Sequence, residues 1–314
     1  YTAFLSAMDY EMLAVGTNNG FFHIFDAQPD GTGGGELLGF MPQAARANVK
    51  YLPDPGYLHQ NFVDGAVANG HAKIAVPGDG TTSWRNIVVA AGGTGVPTVF
   101  ALNASSKTFT ANSVMWEINP TTLATTNPAE VSKFGKIMGR PGIGKLTNGT
   151  WVAIFGNGYN STDGIAYLFV VRLSDGVILR FIPTNSAITA NGLGFTELVR
   201  KTSGNRDTID YVYGSDYKGT ISRVDAKRSS GRLAIARSTM ATRLGGASGR
   251  ICPRLGMFQA WMLLMPSRGA VQLKRRRPAT APRRLPPAAK PEVRTPAPLP
   301  PGAPRPRPPS GRGA

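Results

Sequence analysis

The stretch NGYNSTDG (157–164) crowds together enough side-chain oxygens to hold a hard cation, but Asp163 is its only carboxylate. Calcium takes about six to eight oxygen ligands, several of them carboxylate, so the stretch reads as a polar hairpin loop. Asp64, in NFVDG, is the best isolated acid. A catalytic carboxylate wants a titrating partner, none is identifiable, and the residue reads as a turn cap. The three histidines are His23, His59 and His71. His23 lies inside FFHIF as a strand residue with a bonded ring nitrogen, and a structural hydrogen bond is the expected use of His59. There is no His-x-x-x-His pair and no Ser or Cys nucleophile motif. GGTG (92–95) is too short for a phosphate loop and lacks the following lysine and helix.

Charge divides the chain sharply. The net charge of +17 comes entirely from residues 227–314, which hold 19 Lys and Arg against one acid, Glu292. Residues 1–226 hold 16 basic and 17 acidic residues. KRRR (274–277) and RR (283–284) would attract phosphate, but without interleaved aromatics such contact is nonspecific, and no specific nucleic-acid partner is expected. A basic nucleic-acid binder would owe that property to the tail alone. Cys252 is the only cysteine, so residues 1–226 carry no disulfide framework and no cysteine zinc site. Neither a signal peptide nor a transmembrane segment is expected; the longest apolar run of the tail, MFQAWMLLMP (257–266), is about half the ~20 residues a membrane helix needs.

The elements that must position any site are strands. Residues 1–226 alternate short β-branched or aromatic runs with Gly, Asn, Asp, Thr and Pro, and no window has a helical period. Four segments share one grammar: MLAVGTNNGFFHIFDA (12–27), NIVVAAGGTGVPTVFALNA (86–104), TWVAIFGNGYNSTDGIAYLFVVRLSDG (150–176) and IDYVYGSDYKGTISRVDA (209–226). Each is an apolar strand, a glycine turn expected to supply positive φ, a second strand buried on both faces, and a closing Asp or Asn. Repeating one hairpin is how a radial β fold is written. The turn glycines Gly16, Gly92, Gly156 and Gly214 are 76, 64 and 58 residues apart, longer than the ~40–45 of a simple propeller blade, so loops are expected between blades, Gly31–Gly80 among them. The turn aromatics Phe21, Tyr159 and Tyr217 are expected along one rim, where they would suit adhesion.

Several phrases carry a family resemblance: VGTNNGFFHIFDA with LLGFMP, KYLPDPGYLHQNFVDGA, WRNIVVAAGGTGVPTVFALNAS, FGKIMGRPGIGKLTNGTWVAIFGNGYNS and DYVYGSDYKGTISRVD. In this order the chain resembles the C-terminal β-propeller of PilY-type proteins of type IV pili over nearly all of residues 1–226. The resemblance implies an all-β, modified seven-bladed propeller, incomplete here, and a non-enzymatic role in pilus assembly, retraction control and surface adhesion. It implies pilin and minor pilin subunits and a host or abiotic surface as partners. It also implies a bacterial cell-surface location, at the pilus tip or on the outer membrane. Such propellers carry a calcium loop before the DYVYAGD-like strand, here Thr202–Asp210. Counting back from Asp210 as the ninth position puts Thr202, Gly204 and Arg206 in the other slots, and Arg206 opposes a cation. A one-residue slip offers Ser203, Asn205 and Asp207, with Asp210 one place early. Calcium on Asn205, Asp207 and Asp210 is thus one reading, and a polar turn capped by Asp210 is the other.

Residues 227–314 form the second segment, expected to be a disordered basic Pro/Arg/Ala-rich tail holding 15 of the 25 prolines. A frameshifted translation from about residue 227 would give this composition. The alternative function is a quinoprotein-like dehydrogenase propeller, which would need recurrent tryptophan docking that four scattered tryptophans do not supply.

Overall fold

The computed structural model describes residues 1–184, 187–200 and 208–226. All of them lie in the first of two compact units, Tyr1–Gly249 and Arg250–Ala314. The segment holding Asn205 and Asp207, and the expected tail 227–314, fall outside the described residues.

The described chain is all-β, with four antiparallel sheets, each an up-and-down meander in chain order. Sheet one is β1 (Met12–Gly16), β2 (Phe22–Asp26) and β3 (Glu36–Phe40). Sheet two is β4 (Val67–Val76), β5 (Asp79–Ala91), β6 (Val99–Asn103) and β7 (Val114–Ile118). Sheet three is β8 (Gly142–Lys145), β9 (Trp151–Gly156), β10 (Tyr167–Arg172) and β11 (Ile178–Pro183). Sheet four is β12 (Leu193–Arg200), β13 (Ile209–Asp216) and β14 (Ile221–Asp225). The four glycine hairpins are β1–β2, β5–β6, β9–β10 and β13–β14, one to a sheet. In sheets two and three the hairpin is the central strand pair, not the inner edge.

Strand alternation sorts side chains into three layers, one between each pair of successive sheets. On β5, Val88 and Ala90 join Phe22 and Ile24 of sheet one, while Ile87, Val89 and Ala91 face sheet three. On β9, Ala153 and Phe155 face sheet two; Val152 and Ile154 join Leu193, Val212 and Val224 of sheet four. Sheets two and three are therefore apolar on both faces, which is why FFHIF-like alternation gives way to continuous runs such as YLFVV. Between the sheets, β4 packs on β8 and β9, and β12 packs on the same two strands. Gly142 of β8 makes that approach possible, since a Cβ there would lie 2.6 Å from the Leu198 side chain.

Three details depart from expectation. Gly31–Gly80 is not inserted loop: it holds β3, helix α2 (Gln43–Val49), β4 and the start of β5. Short helices exist, with α1 (Thr2–Ala7) and α3 (Pro120–Thr126) beside α2. At six or seven residues they are too short to show a period, and α3 forms because Asn119 caps Thr122 N–H at 2.9 Å with Pro120 at the first turn. Finally, Gly16, Gly92, Gly156 and Gly214 do not have positive φ; Gly20, Gly93, Gly158 and Gly219 do.

The turn of each of the first three sheets is tied to the segment leading into the next. Val63 N–H donates to Thr17 C=O (3.3 Å), Gly93 N–H to Ile137 C=O (3.0 Å) and Gly158 N–H to Leu193 C=O (2.8 Å). Gly158, at φ +71°, brings its Cα so close to Lys136 that a Cβ would sit 1.9 Å from the carbonyl oxygen. Gly158→Ala should therefore cost roughly 3 kcal/mol in urea unfolding. Gly149→Ala, also at positive φ but with nothing within 4 Å, should cost only roughly 1–2 kcal/mol. Equal losses at both positions would refute the steric account. Leu13 and Val15 stand 58% and 37% exposed on the outer face of sheet one. Leu13→Lys should lower self-association in light scattering without lowering the melting temperature.

Candidate functional site

The end of the sheets that carries these turns also gathers the polar and aromatic residues singled out from sequence. Asp64 accepts from Thr94 N–H (2.7 Å) and Thr94 O–H (2.5 Å), with Gly95 N–H at 3.4 Å. It is a turn cap, as its sequence context implies, but it caps the GGTG turn thirty residues away, with Asn61 Nδ2 on Thr94 Oγ1 at 2.7 Å. Lys136 bridges Tyr159 by paired backbone bonds of 2.7 and 3.1 Å. Tyr159 meets Tyr217 edge to face, centroids 5.9 Å apart. Gly192 C=O accepts from Tyr217 N–H (3.3 Å). A band thus runs from Asn61 and Asp64 through Lys136 and Tyr159 to Tyr217, across three sheets.

Burial, with Tyr159 beside it, pushes the Tyr217 hydroxyl up to about 12; burial and then Asp64 raise that of Tyr159. Both phenols are therefore neutral at physiological pH, suited to ring contact and hydrogen bonding rather than to acid–base chemistry. Phe21, the third expected member of this rim, lies elsewhere: it packs on His23, which stacks in turn on Phe25. His23 Nδ1 bonds Glu36 Oε1 at 2.7 Å, the bonded strand residue its context implies. His59 is exposed in its loop.

NGYNSTDG proves to be a structural bracket. Asn157, fully buried, donates to Lys133 C=O (2.8 Å) and Ile165 C=O (2.9 Å) and accepts from Tyr167 N–H (2.9 Å) and Leu193 N–H (3.0 Å). Asp163 accepts from Ser161 O–H (3.3 Å) and Ile165 N–H (3.2 Å). Sequence reasoning missed its neighbours. Glu130 is buried with Lys133 3.4 Å away, and Lys133 lies over the Phe181 ring at 4.6 Å. Burial raises the Glu130 carboxyl, Lys133 opposing in part, and burial with Asp163 pushes the Tyr167 hydroxyl up to about 12. Glu130 sits in PAEVSK, a surface-like string whose burial comes from packing on sheet three, so no local signal marks it.

Of the expected calcium ligands only Asp210 is described. It is the second residue of β13, is 7% exposed, and shares a face of the strand with buried Val212, while its C=O accepts from Ala226 N–H (2.9 Å). Among the described residues no group of three or more His, Cys, Asp or Glu could hold a metal, and Asn205 and Asp207 lie outside them. The three described tryptophans serve packing: Trp116 Nε1 donates to Leu173 C=O (2.8 Å), and Trp84 meets Trp151 at 5.8 Å. No described helix is long and apolar enough to cross a membrane.

Comparison with known proteins places this geometry. Residues 2–238 match the family model of the PilY1 beta-propeller domain. A type IV pilus biogenesis factor PilY1 homolog of Xylella fastidiosa (strain Temecula1) is 35% identical over 235 residues, covering 70% of this chain and 15% of that protein. The type IV pilus biogenesis factor PilY1 of Pseudomonas aeruginosa (strain PAO1) is 29% identical over 216 residues, covering 67% and 16%. The crystal structure of the Pseudomonas aeruginosa PilY1 C-terminal domain superposes with a TM-score of 0.55 at 25% identity, over 72% of this chain and 41% of that one.

Asn157→Ala should cost about 3 kcal/mol by urea unfolding, since it strands buried amides and carbonyls. Asn157→Asp should fail to restore it, because the two donor bonds are lost. Glu130 adds a pH signature. Its folded carboxyl binds protons more tightly than the unfolded one, so it contributes a fall in stability as pH rises from the ordinary carboxylate range through the raised folded value. Glu130→Gln should flatten that part of the stability–pH curve and be at least as stable at pH 7. A parallel pair of curves would contradict it.

Proposed function

Because this chain belongs to the PilY1 β-propeller family, we propose that it is a rigid, non-enzymatic part of a type IV pilus biogenesis factor, held at the bacterial cell surface at the pilus tip or outer membrane. In this reading it supports pilus assembly, restrains retraction and contributes to surface adhesion. Its partners would be pilin and minor pilin subunits on one side and a host or abiotic surface on the other. The chain spans about a sixth of the length of the relatives it matches, so it would act as one module of a longer factor.

The observation that carries the reading is the family match over residues 2–238. The turn end supports it: a rim of backbone turns locked sheet to sheet, with neutral Tyr159 and half-exposed Tyr217 presented together. Tyrosine suits adhesive contact because it offers a large ring and a polar tip at little entropy cost. Calcium modulation through Asn205, Asp207 and Asp210 belongs to the proposal, supported by the alternate spacing of Asn205 and Asp207 ahead of β13.

Deletion of the encoding gene in its own bacterium should reduce surface pili and twitching. Complementation with a Tyr159→Ser, Tyr217→Ser variant should restore pilus number but not attachment to plastic. Unchanged piliation and attachment in the deletion strain would sink the proposal. Calcium titration of the full chain by calorimetry should give a binding heat that Asp210→Ala abolishes; identical traces for the two proteins would remove calcium from the account.

A further inference from the structure

Sheet two is uneven in length, and its overhang carries a cavity. β4 and β5 pair from Val67 with Ala90 to Val76 with Asp79, whereas β6 pairs with β5 only over Ile87–Ala91. Residues 79–86 of β5 therefore run on past the end of β6. Segment 104–113, which links β6 to β7, covers this overhang. At its base Ala104 N–H donates to Asn86 C=O (2.8 Å) and Asn86 N–H to Ser105 Oγ (2.9 Å). At its far end Asn112 lies against Gly78, whose φ of +78° helps turn β4 into β5. Between strand and cover is a cavity of about 240 Å³, lined in part by Pro77, Asp79, Arg85, Asn103, Thr108 and Asn112. The GGTG turn of the rim follows the other end of β5, so the cavity is separate from the tyrosine pair.

We infer that this cavity takes one neutral pyranose ring, the end of a glycan. The charged residues of the lining are Asp79 and Arg85, and they are paired, Arg85 Nη2 on Asp79 Oδ2. An anion would have to displace that carboxylate and a cation that guanidinium, so the occupant carries no charge. What the lining offers is hydrogen bonds. Arg85 Nε is buried without a partner, a state that buried polar groups rarely keep. Asn103 spends Oδ1 on Ser105 N–H (3.2 Å) and O–H (2.6 Å), which leaves its amide N–H groups to donate. Thr108 bonds Ser106 through its N–H (3.1 Å), not its hydroxyl. The Asn112 side chain makes no hydrogen bond among the described residues. Amide and hydroxyl groups both donate and accept, as sugar hydroxyls do, and Pro77 gives the C–H face of a ring an apolar neighbour. At about 240 Å³ the cavity falls below the ~300 Å³ at which drug-sized ligands begin, which suits a single ring.

Saturation-transfer NMR on the full chain tests this, with the methyl glycosides of glucose, galactose, mannose and N-acetylglucosamine as probes. At least one should give a saturable signal, and the matching free sugar should bind no better. Arg85→Met should weaken it, but that change removes an ion pair and could disturb sheet two. Thr108→Val with Asn112→Ala alters exposed side chains only. That double variant should keep the melting temperature and bind the same glycoside at least about tenfold more weakly, the loss expected of one or two hydrogen bonds. Tyr159→Ser with Tyr217→Ser should leave sugar binding unchanged, which separates this site from the rim. Acetate and inorganic phosphate should not displace the sugar. No saturable signal from any of the four glycosides overturns the inference. So do equal affinity in the Thr108→Val, Asn112→Ala variant, displacement by either anion, or preference for the free sugar.

Discussion

The structure depends on backbone meeting backbone where one sheet hands over to the next. Each of the first three hairpin turns is pressed against the segment that leads into the following sheet, and the contact is made by peptide groups. At Gly158 and Gly95 the space left for a Cβ is occupied by the carbonyl oxygens of Lys136 and Asn61, 1.9 and 1.7 Å away. Peptide contacts of this kind satisfy N–H and C=O groups that a turn would otherwise leave to water. They also fix the rotation of one sheet relative to its neighbour at the rim, while the apolar layers fix it in the middle. Val63, Ile137 and Leu193, the buried residues of the three lead-in segments, plug the end of each layer directly beneath the contact.

This arrangement explains why the chain is so rich in glycine yet so well packed. Turn glycines with positive φ make the bend, and their neighbours make room: Gly92 for the Val96 carbonyl of its own hairpin, Gly156 for the Leu193 carbonyl at the start of the next sheet. Asn157 then does between sheets three and four what no backbone group can: with two donors and two lone pairs it ties Lys133, Ile165, Tyr167 and Leu193 into one node. Between sheets one and two Asp64 has the simpler task of capping a turn, and its exposure permits a charge there that the buried node could not hold.

The hairpins were legible because glycine, β-branched runs and a closing Asp or Asn coincide, and each of the four landed in a separate sheet. The strands that escaped notice are those whose composition serves packing rather than propensity. β8 reads GIGK because Gly142 and Gly144 must admit Leu198 and Ile209, so it lacks the residues that announce a strand. β3 follows a glycine run and lies at a sheet edge, where burial is partial and alternation blurred. The rim was half legible. Tyr159 and Tyr217 converge because successive turns share one end of the sheets, whereas Phe21 closes a turn of sheet one and folds onto the outer face instead. Glu130 had no sequence signal, since its burial is created by tertiary packing alone.

These constraints bear on what the module can do. Sheets two and three are sandwiched by apolar layers on both faces, so their strands have little freedom to rearrange. The turns and the outer face of sheet one are less constrained by packing. The tyrosine pair sits on two tied turns, with Tyr159 bonded through both backbone groups to Lys136 and Tyr217 N–H donating to Gly192 C=O. A partner docking there meets side chains whose supporting backbone is already ordered, and it loses less entropy than it would on a mobile loop.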